Sequence, residues 1–323
     1  MPDSSPPFVC RVCGGETDTS VSAPEMMYGT RERFDYFECP SCGCVQISEV
    51  PDDLAPYYPD SYPFFGEPKT FSATKRVFRR LWARHHLGRP SPVGALLTRV
   101  YGKAEFFSWA ERAGVGLEDK ILDVGCGRGK RLMEMSSCGF TDLTGVDPFI
   151  EQTYRYPGGV VVHRDDPKNL DGGFDLVMSH HSFEHVPEPL DFLRTLHRLA
   201  RPGGAVLVRI PLAGSDAWRR YGVDWMGLDP PRHLHLHTVR SMEILAEQVG
   251  LEVEDVVWDG TAMTLWASEQ YRNDIPLIDP RSHFVDPERS MFTADDLRGY
   301  EAQAEASNAN ERGDGAAFFL RRP

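Results

Sequence analysis

From Lys120 to Trp258 the chain alternates short apolar runs with amphipathic stretches, and this alternation constrains the fold more than any other feature. Ile121-Leu-Asp-Val reads as a strand that ends in a glycine-rich turn. Leu143-Thr-Gly-Val-Asp147, Gly159-Val-Val-Val-His163 and Phe174-Asp-Leu-Val-Met178 read as the second, third and fourth strands. A helix bearing Leu190, Leu193, Leu196 and Leu199 follows and is expected to stop at Arg201-Pro-Gly-Gly204. Ala205 to Ile210 is a fifth strand, Thr238 caps a helix running to Gly250, and Leu251 to Trp258 is a sixth strand. Strands that alternate with helices imply an α/β, doubly wound, mostly parallel sheet covered on both faces. Such sheets hold ligands at the carboxyl ends of their strands.

The 323 residues suffice for one large domain and a smaller one. The net charge of -13 argues against a general nucleic-acid binder, because phosphate contacts supply most non-specific affinity. No apolar run is long enough to span a bilayer, and Met1 to Pro7 lacks the basic and apolar regions of a signal peptide. Seven cysteines in such a chain read as metal ligands and free thiols rather than a disulfide framework, and a cytoplasmic chain is the simplest expectation.

Four of those cysteines form two pairs, Cys10-x-x-Cys13 and Cys39-x-x-Cys42, each followed by a glycine. Two residues between thiolates let a tight turn aim both sulfurs at one ion. The pairs together complete a tetrahedral, structural zinc site, and the 25-residue spacer leaves room for a hairpin ribbon. Cys44 would be a fifth ligand and is read as a bystander. Pro51 to Pro68, with Tyr57-Tyr58 and Ser61-Tyr-Pro-Phe-Phe-Gly66, reads as an ordered aromatic connector. From Pro68 to Ala104 there is no Asp or Glu, while nine Lys and Arg residues fall there. Phe71, Val77, Phe78, Leu81 and Trp82 lie at roughly helical spacing within it. The expected arrangement packs that apolar face on the main domain and solvates the arginines. The alternative is contact through residues 69–89 with an anionic membrane surface or a lipid-linked, phosphorylated substrate.

Glycines at 125, 127 and 129 let the backbone turn sharply against a ligand. Asp147, twenty residues after Gly127, ends the second strand, where a carboxylate can accept both hydroxyls of a ribose. The dinucleotide fingerprint wants its third glycine at position 130, which is Lys here. Residues 120 to 210 resemble the class I S-adenosylmethionine methyltransferases. The matching segments, in order, are Leu122-Asp-Val-Gly-Cys-Gly-Arg-Gly129, Gly145-Val-Asp147, Phe174-Asp-Leu-Val with Phe183-Glu-His-Val186, and Arg201-Pro-Gly-Gly204. The resemblance implies a seven-stranded sheet, its antiparallel seventh strand supplied by Ala316 to Leu320. It implies that Asp123, Gly125, Cys126 and Gly127 line the cofactor, S-adenosylmethionine, and that Asp147, beside Pro148, takes the ribose hydroxyls. Asp165 or Asp166 would approach the adenine, and Ser179 and His180 would face the sulfonium and the acceptor.

A methyl acceptor sometimes needs a base, and histidine suits that role near neutral pH. His180-His-Ser-Phe-Glu-His185 lies at the expected methyl end, with His181 preferred over His185. In Asp229-Pro-Pro-Arg-His-Leu-His-Leu-His237, an extended chain would point His233, His235 and His237 to one side as further bases, or as ligands of a second metal. Arg232 is a candidate anchor for an acceptor anion, or a salt-bridge partner of Asp229 or Asp224. Trp218, Tyr221 and Trp225 are a candidate sugar-stacking wall or core. The Asp229 to Leu234 segment, the paired cysteines, Tyr57-Tyr58, Ser268 to Tyr271 and Gly313 to Phe318 resemble bacterial methyltransferases of sugar and surface-polysaccharide pathways.

That resemblance implies a small acceptor, sugar-linked or phosphorylated. Other natural products and peptides remain alternatives. An RNA methyltransferase with a zinc module is another, disfavoured by acidic residues 8 to 45, and a non-catalytic scaffold is the last. The domain reading is residues 1–50 as zinc module, 51–110 as connector and basic helical region, and 111–323 as catalytic domain. Within the last, 211–240 is an acceptor-site insertion and 268–323 a C-terminal extension.

Overall fold

The computed structural model describes residues 7–59, 66 and 68–323. The part of the aromatic connector from Ser61 to Phe65 lies outside them. Two small antiparallel sheets begin the chain. Strands β1 (Phe8–Val9) and β2 (Glu16–Thr17) pair around the first cysteine turn. Strands β3 (Val21–Pro24), β4 (Arg33–Glu38) and β5 (Val45–Ile47) form a meander. Helices α1 (Ala73–His86), α2 (Pro92–Tyr101) and α3 (Glu105–Ala113) follow, the first two capped by the hydroxyls of Ser72 and Ser91.

Strand β6 (Lys120–Val124), α4 (Lys130–Cys138), β7 (Asp142–Val146), the short β8 (Tyr154–Arg155), β9 (Val161–His163) and β10 (Phe174–His180) then alternate as expected. After α5 (Pro189–Leu199) come β11 (Ala200–Pro211), α6 (Asp216–Tyr221), β12 (His235–Leu236), α7 (Val239–Val249) and β13 (Glu252–Trp258). Helices α8 (Ala262–Arg272) and α9 (Ala294–Ala309) and strand β14 (Gly315–Arg321) end the chain.

The main sheet has the order β13-β14-β11-β10-β6-β7-β9-β8. The β9, β7, β6, β10 and β11 neighbours are parallel, and β14 inserts antiparallel between β11 and β13. This is the expected arrangement, with one correction: β8 pairs antiparallel with β9 and makes eight strands rather than seven. A second correction concerns Arg201 to Gly204. Helix α5 has already ended at Leu199, and those residues bulge out of β11, whose pairing with β10 jumps from Ala200 to Ala205.

Successive residues of each strand serve opposite faces. Ile121, Leu176, Met178, Leu207 and Phe319 pack against α1, α3 and α4 through Trp82, Phe107, Trp109 and Leu132. Leu122, Val124, Val177, Val206 and Phe318 pack against α5 and α7 through Leu193, Leu196, Met242 and Leu245. The cysteine turns join this second core through Cys10, Cys39 and Cys42.

The N-terminal meander does not stand apart. Strand β12 adds to its edge, pairing His235 with Gln46 and Leu236 with Val45. Tyr36, Val45 and Ile47 then share one buried cluster with Trp225, Leu234 and Leu236, and with Leu265 and Ala304 of the C-terminal helices. Residues 1–50, 211–240 and 268–323, read separately from the sequence, meet in that one core.

Candidate active site

The glycine-rich turn leaves β6 at the carboxyl edge of the sheet. Gly125 has φ +73°, and a Cβ there would collide with Ser182 Oγ. That hydroxyl donates to the Gly125 carbonyl at 3.1 Å, so the turn and the loop after β10 touch directly. Gly129 has φ +81°, and a Cβ there would come within 2.6 Å of Val162 Cγ2. The third glycine therefore brings α4 close to β9, which explains why none is needed at position 130.

Asp147 leaves β7 beside this turn and is 8% exposed. Its carboxylate accepts from the Gly127 and Phe149 amides, each at 2.9 Å, while burial raises its pKa. Asp123 is buried, with Arg131 Nη1 3.6 Å away. Burial pushes it up to about 6 against the pull of Arg131. Cys126 directs its thiol inward to the Gly127 carbonyl. Pro148 is exposed, and Asp165 is exposed and accepts from Asn169. Two residues past Asp147, Phe149 is 90% exposed, an unusual state for a large apolar ring.

Strand β10 is longer than its sequence suggests, and that alters the reading of its end. Ser179 is fully buried, and its hydroxyl has no hydrogen-bond partner among the described residues. The His180 ring packs at a tilt with its centre 4.4 Å from that of Trp109, and burial holds its pKa well down. Both are buried, and neither His180 ring nitrogen has a hydrogen-bond partner among the described residues. His181 is the residue that turns outward. It adopts φ 51°, a strained conformation for a non-glycine residue. Its side chain is 52% exposed, with Nδ1 3.4 Å from Glu184 Oε1.

Glu184 and His185 do not begin a helix. They lie in a single 3-10 turn, Phe183–His185, and α5 starts only at Pro189. Glu184 is completely buried. Burial raises its pKa, but the imidazoles at 181, 185 and 233 outweigh that and bring it to about 2. His185 Nδ1 lies 2.8 Å from the Arg232 carbonyl and 3.0 Å from the Tyr58 hydroxyl. The rings of His185 and His233 are 4.8 Å apart.

The three alternate histidines do not share a face. His233 turns to Glu184 and His185, with Nδ1 2.8 Å from the Gly227 carbonyl. His235 and His237 stack on each other beneath the N-terminal sheet, both fully buried. Burial holds His235 well below its ordinary pKa and His237 down to about 3. His235 is therefore corrected from candidate base to structural residue. Arg232 is likewise unavailable to an acceptor: it is fully buried and paired with Asp229 and Glu25. Trp225 and Tyr221 are core residues, and Trp225 Nε1 donates to Asp314 at 3.0 Å. Trp218 is half-buried and donates to Glu38, so no aromatic wall forms. Ser268 and Asp314, within the matching C-terminal segments, act here as scaffolding: Ser268 Oγ accepts from the Met226 amide at 2.8 Å.

A family model described as a methyltransferase domain matches residues 77–256, more than half of the chain. The chain belongs to the methyltransferase family. Over 164 residues this methyltransferase is 30% identical to the ubiquinone biosynthesis O-methyltransferase of Pseudomonas aeruginosa, covering 46% of this chain and 70% of that protein. It is 24% identical over 205 residues to the tRNA U34 carboxymethyltransferase of Idiomarina loihiensis, covering 58% of this chain and 60% of that one. Among solved structures, it is similar to an S-adenosylmethionine-dependent methyltransferase of Mesorhizobium loti, at 18% identity and TM-score 0.41, covering 66% and 96% of the two chains.

Outside the matched region, Cys10, Cys13, Cys39 and Cys42 converge, one sulfur from each lying within 4.8 Å of the others. Cys10 and Cys42 are 3.7 Å apart and Cys13 and Cys39 3.4 Å. A tetrahedron with zinc–sulfur bonds of about 2.3 Å has edges of roughly 3.8 Å, so the donor set fits that ion. Val12 N and Gln46 Nε2 donate to the Cys10 sulfur, as suits a thiolate. Cys44 is buried and lies outside the group.

The sequence reading missed four residues around the end of β10. Trp109 packs on His180, with Arg131 and Arg209 guanidiniums 5.3 and 6.0 Å from its ring centre. Glu184 is the buried carboxylate that orients His181. Only Glu184 had a signal in the sequence, its place inside the histidine cluster. Trp109, Arg131 and Arg209 reach the cleft from α3, α4 and β11, and nothing in their spacing joins them.

Proposed function

We propose that this methyltransferase transfers a methyl group to a hydroxyl of a small-molecule acceptor, with His181 as general base. The observation that carries this reading is the His181–Glu184 pair, held beside Gly125 through the Ser182 contact. Gly125, Gly127 and Asp147 would hold the cofactor, since a Cβ at Gly127 would enter open space and Asp147 borders it. Bound there, S-adenosylmethionine supplies an electrophilic methyl group on a sulfonium. The Glu184 carboxylate, 3.4 Å from His181 Nδ1, favours the proton on that nitrogen and leaves Nε2 to take the acceptor proton. Phe149, two residues past Asp147, offers an exposed ring on which the adenine would stack.

A sugar-linked acceptor is the favoured class, on the resemblance of Asp229 to Leu234 and its companion segments. The acidic balance of the chain supports a small molecule over RNA. Calorimetry should register S-adenosylmethionine binding, weakened at least tenfold by Asp147→Ala; a wild type that does not bind overturns the proposal. Radiolabelled methyl groups should then pass to nucleotide-activated sugars, and label found instead in bulk tRNA would overturn the acceptor class.

The same proposal includes a lipid contact at the helical hairpin. Trp82 and Ala83 are buried as expected of the inner face of α1. Val77, Phe78, Leu96, Val100 and Tyr101 are exposed, however, with Arg76, Arg80, Arg84 and Arg99 around them. Apolar side chains ringed by cations suit an anionic bilayer. The protein should co-sediment with phosphatidylglycerol vesicles, less so at high salt, and Leu96→Glu with Val100→Glu should abolish this. Equal sedimentation with phosphatidylcholine, or none with either, overturns it.

A further inference from the structure

We propose that Glu184, His185 and His233 bind a divalent transition-metal cation at the acceptor end of the cleft. One ligand atom from each of the three lies within 4.8 Å of the others. Two independent features mark the cluster as built for a cation rather than merely crowded.

The first is the buried carboxylate. Glu184 is completely buried, and neither of its oxygens accepts a hydrogen bond from the described residues. Its ion-pair contacts among them are His181 Nδ1 at 3.4 Å and His233 Nε2 at 3.9 Å. A buried carboxylate that accepts no hydrogen bond is costly, and such groups are ordinarily paired closely or bound to metal. The nearby arginines are committed elsewhere. Arg232 serves Asp229 and Glu25, and Arg131 faces Asp123.

The second feature is the way both imidazoles are fixed. His233 Nδ1 is 2.8 Å from the Gly227 carbonyl, and His185 Nδ1 is 2.8 Å from the Arg232 carbonyl. A carbonyl only accepts, so each Nδ1 carries the proton and each Nε2 presents a lone pair. A backbone carbonyl behind a histidine is the usual support of a metal-ligating imidazole. Gly227 and Arg232 sit in the insertion between β11 and α7, so the insertion fixes both ligands.

Two imidazoles and one carboxylate suit zinc, manganese, iron or cobalt better than magnesium or calcium. Three protein ligands leave coordination positions open. An acceptor hydroxyl bound at one of them would lose its proton more readily, the proton passing to His181. That catalytic role rests on the proposed methyl transfer; occupancy of the site by a metal does not.

The test counts metals and then adds Mn²⁺ to the full-length protein as purified, followed by electron paramagnetic resonance. Manganese avoids thiolate sites and so does not compete for the cysteines. The wild type should hold one metal equivalent more per chain, native metal and Mn²⁺ together, than Glu184→Gln or His233→Ala. Mn²⁺ affinity should fall at least tenfold in both variants, with circular dichroism unchanged for at least Glu184→Gln. Equal metal content and equal Mn²⁺ uptake in wild type and Glu184→Gln overturn the site. Cofactor calorimetry on the same samples separates the outcomes: metal without S-adenosylmethionine binding keeps this inference and removes the methyl-transfer reading, and the reverse result does the opposite.

Discussion

Replacing Cys39 by serine, or stripping metal from the four cysteines, is expected to melt the N-terminal sheet together with β12. Structural zinc contributes on the order of 10 kcal/mol to small thiolate modules, far more than β3, β4 and β5 can supply from their own burial. Because β12 hydrogen-bonds to β5, the loss reaches the insertion that carries His233. Hydrogen exchange should report it: amides of Arg33–Glu38 and of Leu236, which faces Val45, should lose protection. Those of Lys120–Val124 and of the central residues of β10 should keep theirs, since their pairing lies wholly within the main sheet. Full protection of β4 in metal-free protein would show that the module needs no ion.

Arg232→Ala is expected to cost about 3–5 kcal/mol, the range seen when one partner of a buried ion pair is removed. The guanidinium is fully buried, with Nε 3.0 and 2.9 Å from the two Asp229 oxygens and Nη2 2.9 Å from Glu25 Oε1. Without it, two buried carboxylates from distant parts of the chain would be left without their cation. Lysine should not rescue, because an ammonium cannot fork onto Asp229 while reaching Glu25. Urea unfolding of the alanine, lysine and methionine variants measures this. Adding Asp229→Asn and Glu25→Gln to Arg232→Met should restore part of the loss, since the stranded charges are then gone. A loss below about 1 kcal/mol for Arg232→Ala, the scale of a surface pair, would contradict the assignment.

Much of the sheet was legible because period and punctuation are local. Six parallel or near-parallel strands, the antiparallel β14 and the cysteine turns all follow from residues close together in sequence. The ends of elements were less so. Strand β10 runs on to His180 because its last residues pair with Val208 and Arg209 of β11, a partner whose register the sequence does not display. That extension buries Ser179 and His180, and the chain turns the His181 side chain outward just after it.

The histidine-rich segment makes the same point. Alternation predicted one face for His233, His235 and His237, but only His235 and Leu236 are in a strand. The αL conformation of Asp229 and the Arg232 clamp turn His233 toward His185, while β5 draws His235 beneath the N-terminal sheet. Arg232 and Trp225 looked like ligand-binding residues because Arg and Trp serve both purposes; burial decided for the core.

The sequence by itself determined what depends on near neighbours: the alternating strands and helices, the glycine turn opposite Asp147, the two thiolate pairs and the methyltransferase family. The tertiary structure alone decided which of the many polar groups face the cleft. Pairing and carbonyl contacts arise between segments far apart in the chain, and they gather Glu184, His185 and His233 into one group beside His181, apart from His235 and His237.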